Sequence, residues 1–276
     1  MPNESPDKSP VGDPEDLELD LALALNMADE ADKISLSRWG ASDLRVESKP
    51  DLTPVTEADK GVEHLIRQML GERRPTDRII GEEFGGAESA LPAGRTWVID
   101  PIDATANYVR RVPVWATLIC LMLDGDPILG VVSAPGLGRR WWALKDSGAW
   151  VSEFGRSARR IEVSAVGSLS HASFSYSDDV GWAELGADRG LDHLRSECWR
   201  SRAYGDFYSH LLVAEGAVDV AAEPCLKIWD MAAVVAIVRE SGGRATSFDG
   251  GEPLLAGCLV TSNGILHDAL LATLAS

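Results

Sequence analysis

A chain of 276 residues, 45% of them hydrophobic and 25% charged, is long enough to bury a large core as one domain or as two intimate halves. Its formal net charge of −17 opposes binding to a nucleic-acid backbone or an anionic membrane, although a bound metal would let it accept a small anionic substrate. The cysteines at 120, 198, 225 and 258 lack metal-ligand spacing, no apolar run reaches the ~20 residues a membrane span needs, and no basic region leads into an apolar N-terminal stretch. The expectation is a soluble cytoplasmic protein with buried, reduced thiols.

Residues 1–15 are polar and rich in proline, serine and acid, which predicts a disordered leader. Beyond them Leu17, Leu21, Ala24, Leu25, Ala28 and Ala31 recur at helical spacing, predicting a helix over 16–39 that stops at Gly40. Pro50 and Pro54 exclude a helix across 49–56 and predict an extended or turning connector. Thr56 then caps a second helix, with Asp59 in capping-box position and Asp59 and Glu63 one turn apart on one face. Strands are expected at 78–80 and 96–100, then an antiparallel pair at 115–122 and 128–134 across a turn at 124–127, and two more at 140–144 and 149–151. A strand near 172–176, a helix near 185–197, a helix from 206 and a strand near 217–222 follow. Trp229 to Ser241 predicts a helix ended by Gly242 and Gly243, with strands at 244–247 and 259–261 and a closing helix over 264–274. Helices mixed with antiparallel strands predict an α+β layered architecture, divided into an N-terminal half over 16–155 and a C-terminal half over 156–276.

Four acids stand at the ends of these elements: Glu82, Asp100, Asp103 and Asp230. A carboxylate closing an apolar stretch is held rigidly while its head leaves the core. Asp100 and Asp103 flank Pro101 and Ile102, so a turn there aims both at one centre and frees the Ile102 carbonyl as a further ligand. Like charges so close repel unless a cation lies between them, and hard oxygen donors suit Mg²⁺. Taken one at a time, each acid also reads as a helix cap or a surface acid; the spacing suggests a metal site without proving it. Lys49 reads as a surface lysine or as a neighbour of phosphate, and the Trp141–Trp142 pair as strand packing or a subunit contact.

The segment from Trp97 through Asp100-Pro101-Ile102-Asp103-Ala104-Thr105 to Asn107-Tyr108 resembles the signature of the inositol monophosphatase family, WxxDPxDGTxNF. Three further blocks agree in order: Val55-Thr56-Glu57-Ala58-Asp59 with Glu63, Gly81-Glu82-Glu83, and Ile228-Trp229-Asp230-Met231-Ala232-Ala233. The resemblance implies the five-layer αβαβα sandwich of the inositol monophosphatase and fructose-1,6-bisphosphatase-like sugar phosphatases. It further implies two or three Mg²⁺ ions on Glu82, Asp100, the Ile102 carbonyl, Asp103 and Asp230, and Li⁺ inhibition. Asp59 and Thr105, with Glu82, would activate a water held by metal, Glu63 would stand behind the ligands, and the Ala104 and Thr105 N–H groups would cradle the phosphate. A homodimer acting on a small phosphate ester, with no covalent phosphoenzyme, completes what it implies.

Within that family the chain is similar to the histidinol-phosphate phosphatases of actinobacteria. The likeness is carried by Lys49 to Thr56, Val112-Pro113-Val114-Trp115, Arg139-Arg140-Trp141-Trp142, Arg202 to Phe207, Val213 to Asp219 and Ala222-Glu223-Pro224. It implies a role in histidine biosynthesis, with Asp206, Glu223 and Asp230 on the substrate; two carboxylates suit a cationic aminoalcohol bearing an imidazole. Asp206 after Gly205 also reads as a helix N-cap. Three positions depart from the pattern: Ala104 replaces a glycine, Ala106 a lysine and Arg111 a glycine. Three readings therefore stay open: histidinol phosphate, another small ester such as an inositol, sugar or nucleoside phosphate, or a relative that turns over poorly.

Overall fold

The computed structural model describes residues 14–86, 90–153 and 156–276. The predicted leader lies outside the described residues except for its last two, which begin the first helix. In chain order the elements are α1 (Pro14–Arg38), β1 (Val46–Ser48), β2 (Pro54–Thr56), α2 (Glu57–Arg73), β3 (Arg78–Gly81), β4 (Arg95–Asp103) and α3 (Thr105–Val109). Then come β5 (Ala116–Leu123), β6 (Asp126–Ala134), β7 (Arg139–Leu144), β8 (Gly148–Glu153), β9 (Arg159–Ile161), a single 3-10 turn at Leu169–His171 and β10 (Ser173–Ser175). The rest is α4 (Asp188–Glu197), β11 (Arg200–Arg202), α5 (Asp206–Ala214), β12 (Val220–Glu223), α6 (Ile228–Glu240), β13 (Arg244–Thr246), α7 (Pro253–Ala256), β14 (Leu259–Ser262) and α8 (His267–Leu274). Among the described residues no helix is long and apolar enough to cross a membrane.

Strands β3 to β9 form one seven-stranded sheet in chain order, and a five-stranded sheet runs β11-β10-β12-β14-β13. The alternation of side chains along a strand explains how the first sheet is covered on both faces. Trp97, Ile99, Ile119 and Leu121 pack against α1 and α2, while Val98, Leu118, Cys120 and Met122 pack against α6. Helices α5 and α6 in turn lie on the five-stranded sheet, whose far face is closed by α4 and α8. The order is helix, sheet, helix, sheet, helix: the five-layer αβαβα sandwich that the resemblance implied.

The first sheet runs on to Ile161, past residue 155 where the sequence divides the chain. The two halves share α5 and α6 as one layer. Of the four cysteines, all free, three are buried as expected; Cys225 is the exception, exposed at the turn before α6. Trp141 packs in the core and gives its indole N–H to Glu215 Oε1 at 2.8 Å, while Trp142 packs toward α1.

Candidate active site

The acidic motif sits inside β4, and a bulge, rather than the expected turn, aims its carboxylates. In regular pairing, positions 100 and 103 would face opposite sides of the sheet. Here Asp100 pairs with Leu118 and Asp103 with Ala116, so three chain steps on β4 oppose two on β5. The extra residue returns Asp103 to the face that Asp100 shares with Val98, the face covered by α6. Pro101 stands where a missing N–H is tolerated, at the bulge, and its carbonyl accepts the Thr117 hydroxyl at 2.8 Å.

Opposite the bulge, α6 delivers Asp230 in its first turn, where Oδ2 accepts the Lys227 N–H at 2.7 Å. One carboxylate oxygen from each of Asp100, Asp103 and Asp230 falls within 4.8 Å of the others. Burial, reinforced by repulsion from Glu82, Asp103 and Asp230, holds the Asp100 carboxyl well above the usual range. Burial, with Asp206 and Asp230 next in weight, does the same to Asp103. Asp230 is pushed up to about 7 by burial and by Glu82 and Glu223. Asp100 Oδ1 is buried with no hydrogen-bond partner among the described residues, a costly state for an acceptor. Three crowded carboxylates, one of them carrying an orphaned oxygen, fit a hard divalent cation, which would satisfy the acceptor and cancel the repulsion.

The capping box at the start of α2 serves this centre. Asp59 Oδ2 accepts the Thr56 N–H at 2.8 Å and the Thr56 hydroxyl at 2.6 Å. Its other oxygen, Oδ1, lies 3.2 Å from the Thr105 Oγ1, which is also 3.0 Å from the Ile102 carbonyl. Burial raises the Asp59 carboxyl above its ordinary value. Glu82 stands apart from the three clustered acids but lines the same cavity of about 420 Å³. Lys49 Nζ is 2.6 Å from Glu82 Oε1 and 2.6 Å from Glu83 Oε1, so the surface-lysine reading is replaced by a cation inside the site. Burial pulls the Lys49 ammonium down in pKa, but these two carboxylates outweigh it and raise it. Glu63, fully buried, braces the turn beneath by accepting the Glu83 and Phe84 N–H groups and the Arg67 guanidinium.

Ala104 occupies the left-handed region at φ 63°, ψ 48°, just before α3. Its carbonyl accepts the Asn107 and Tyr108 N–H groups at 2.9 and 3.1 Å. Ala104 and Ala106 separate the acidic cavity from a second one of about 550 Å³, lined also by Asn107, Ser177, Asp178 and Asp206. Asp206 is not the N-cap of α5: Gly205 holds that position, and Asp206 itself adopts φ 50°. Burial, then Glu223 and Asp230, push its carboxyl up to about 7. Phe207 N–H, one residue on, donates to Asp103 Oδ2 at 3.1 Å. Glu223 lines neither cavity; it is buried behind Ser177, whose hydroxyl donates to Glu223 Oε1. Ser177 escaped the sequence reading because its place depends on strand register. Parallel pairing of Phe174 with Val220 and Ser175 with Ala221 brings position 177 level with 223.

A layered α+β fold with buried carboxylates converging beside two adjoining cavities suits metal-assisted hydrolysis of small molecules. Residues 16–276 match the inositol monophosphatase family, and the chain belongs to it. It is 54% identical to a histidinol-phosphatase from Mycobacterium tuberculosis over 92% of this chain and 97% of that one. It is 53% identical to a histidinol-phosphatase from Streptomyces coelicolor, covering 92% and 96%. Among solved structures, the inositol monophosphatase from Zymomonas mobilis superposes with a TM-score of 0.80 at 30% identity, over 94% of this chain and 98% of that one. The extragenic suppressor protein SuhB from Bartonella henselae gives 0.83 at 25% identity, over 93% and 98%. The protein is a phosphoric monoester hydrolase.

Proposed function

We propose that the protein hydrolyses histidinol phosphate to histidinol and phosphate, with two or three Mg²⁺ ions bound by Glu82, Asp100, the Ile102 carbonyl, Asp103 and Asp230. The convergence of Asp100, Asp103 and Asp230 on one point beside the cavity carries the chemistry. The leaving-group preference is supported by the acidic wall of the adjoining cavity, Asp178 and Asp206, and by the two histidinol-phosphatases that share over half of the aligned residues. Held by these residues, Mg²⁺ would supply a water of lowered pKa and neutralise charge on the phosphate. The Thr105 hydroxyl, oriented by Asp59, aligns that water with phosphorus and passes its proton toward Asp59. The Ala104 and Thr105 N–H groups hold phosphate oxygens, and Asp206 draws the cationic alcohol into the second cavity. Water attacks phosphorus directly, the ester P–O bond breaks, the departing alkoxide takes a proton from solvent to become the alcohol, and Asp59 returns its proton to solvent. The same reading places the enzyme in the cytoplasm, as a homodimer, within histidine biosynthesis.

A release assay for phosphate with Mg²⁺ tests this reading. Histidinol phosphate is expected to be preferred over inositol 1-phosphate by at least tenfold in kcat/KM, about 1.4 kcal/mol; a smaller margin would return the substrate to the wider class of inositol, sugar and nucleoside phosphates. Asp100→Asn is expected to abolish turnover with the fold retained, and an active Asn variant would refute the metal role. One observation favours the alternative of a slow relative: the left-handed backbone at Ala104 carries a methyl where the family pattern has glycine. Recovery of a weak activity by Ala104→Gly would support that alternative.

A further inference from the structure

Asp206 and Glu223, the two acids expected to meet the leaving group, are joined by a side chain that neither spacing nor resemblance singled out. Ser177 Oγ donates its one proton to Glu223 Oε1 and accepts the Asp206 N–H at 2.7 Å. On its far side Glu223 faces His210, only 2% exposed, whose Nε2 lies 3.5 Å from Glu223 Oε2 and has no hydrogen-bond partner among the described residues. The other ring nitrogen of His210 is 2.8 Å from Thr261 Oγ1. With a proton on Nε2, facing the carboxylate, Nδ1 accepts from the Thr261 hydroxyl. A line of polar groups thus runs from the five-stranded sheet through His210 and Glu223 to Ser177, and only Ser177 reaches the cavity wall.

We propose that Ser177 is the specificity residue that accepts the cationic leaving group, that Glu223 acts through it, and that His210 is a positioning residue for Glu223. The proposal rests on the cationic-ester reading given above. Because the Ser177 proton is committed to Glu223, the hydroxyl can meet a ligand only as an acceptor. Of its two lone pairs one takes the Asp206 N–H, which leaves one for the cavity. An acceptor backed by a buried carboxylate, beside Asp178 and Asp206, favours an ammonium or imidazolium N–H over a neutral group. The same bond to the Asp206 N–H steadies that residue in its left-handed backbone, so one hydroxyl sets both the acceptor and the neighbouring acid.

The test compares histidinol phosphate with glycerol 2-phosphate, a neutral-alcohol ester, in the Mg²⁺-loaded full chain. Ser177→Ala is expected to lower the preference for the cationic ester at least tenfold, with the loss in its KM rather than its kcat, and Ser177→Thr, which keeps the hydroxyl, to restore most of it. Glu223→Gln is expected to resemble Ser177→Ala, and the double variant to be no worse than Ser177→Ala alone. His210→Leu is expected to shift KM for the cationic ester in the same direction. Should that variant fail to fold, the Ser177–Glu223 cycle still decides whether Glu223 acts through Ser177. A preference that survives Ser177→Ala would overturn the proposal while leaving the substrate reading intact, as would additive losses in the double variant, which would put Glu223 on the substrate directly. A wild-type enzyme without preference for the cationic ester would sink the substrate reading, and the role of Ser177 with it.

Discussion

Ala104 concentrates the tension between sequence and site at a single residue. Its left-handed backbone is one that glycine adopts freely and an L side chain enters at a cost of roughly 1–2 kcal/mol. Arg111, the second departure from a glycine in the pattern, also has a positive φ of 62°, so the fold keeps both turns and accepts the strain. The methyl of Ala104 is partly compensated by packing beside Tyr108 and Trp115. Ala104→Gly is expected to raise Tm by about 2–4 °C, the equivalent of ~1 kcal/mol in a chain of this size. Thermal unfolding checks it; a fall in Tm would mean that the lost methyl contacts outweigh the strain. The sequence showed which residue had changed, but not its dihedral angles. The partners of Lys49 and Ser177 were hidden for a related reason, since they lie 33 and 46 positions away and only the folded register brings them together.

At the scale of elements, the helices and the longer strands were legible because their apolar periodicity is strong. The capping box of α2 was readable down to its two residues, Thr56 and Asp59. The β9 and β11 strands, three residues each, and the short α7 helix were not, since so few residues carry no period. The bulge in β4 was read as a turn for a physical reason: a bulge is defined against a partner strand, and nothing local to Asp100–Asp103 reveals β5. Helix and sheet approach closely at Gly130 on β6, where an added Cβ would lie 2.5 Å from the Ala233 carbonyl on α6. Gly130→Ala is therefore expected to cost about 1–3 kcal/mol and to push back the helix that carries Asp230. Its Mg²⁺ half-saturation in the phosphate assay should rise along with the loss in Tm. Loss of stability with unchanged Mg²⁺ dependence would show that α6 shifts without moving its first turn.

For the molecule as a whole, the crowding of acids predicts how stability follows pH. Asp206 and Asp230 are held near 7 in the folded protein and titrate near 4 once unfolded. The folded state thus binds more protons between those values, and stability falls as pH rises through that window. His267 works in the opposite direction, being lowered to about 4 by burial, but its penalty lies below about pH 6.5. From about pH 5 to 7 the Tm of the metal-free protein is expected to decline, the two acids outweighing the one histidine, and to level off above pH 7, with saturating Mg²⁺ removing most of the decline. A flat metal-free profile would show that water screens the cluster. A drop that Mg²⁺ leaves unchanged would place the responsible acids away from the metal.

The middle layer has a consequence for how the enzyme opens. Helices α5 and α6 are packed against both sheets, so neither sheet can swing away without stripping a helix layer that holds Asp206 and Asp230. A hinge between the sheets would cost much of the global unfolding free energy, and product is therefore expected to leave through the cavity mouth with both sheets in place. Amide hydrogens within Val234–Val238, all buried on α6, should exchange only through global unfolding, at a rate that turnover does not alter.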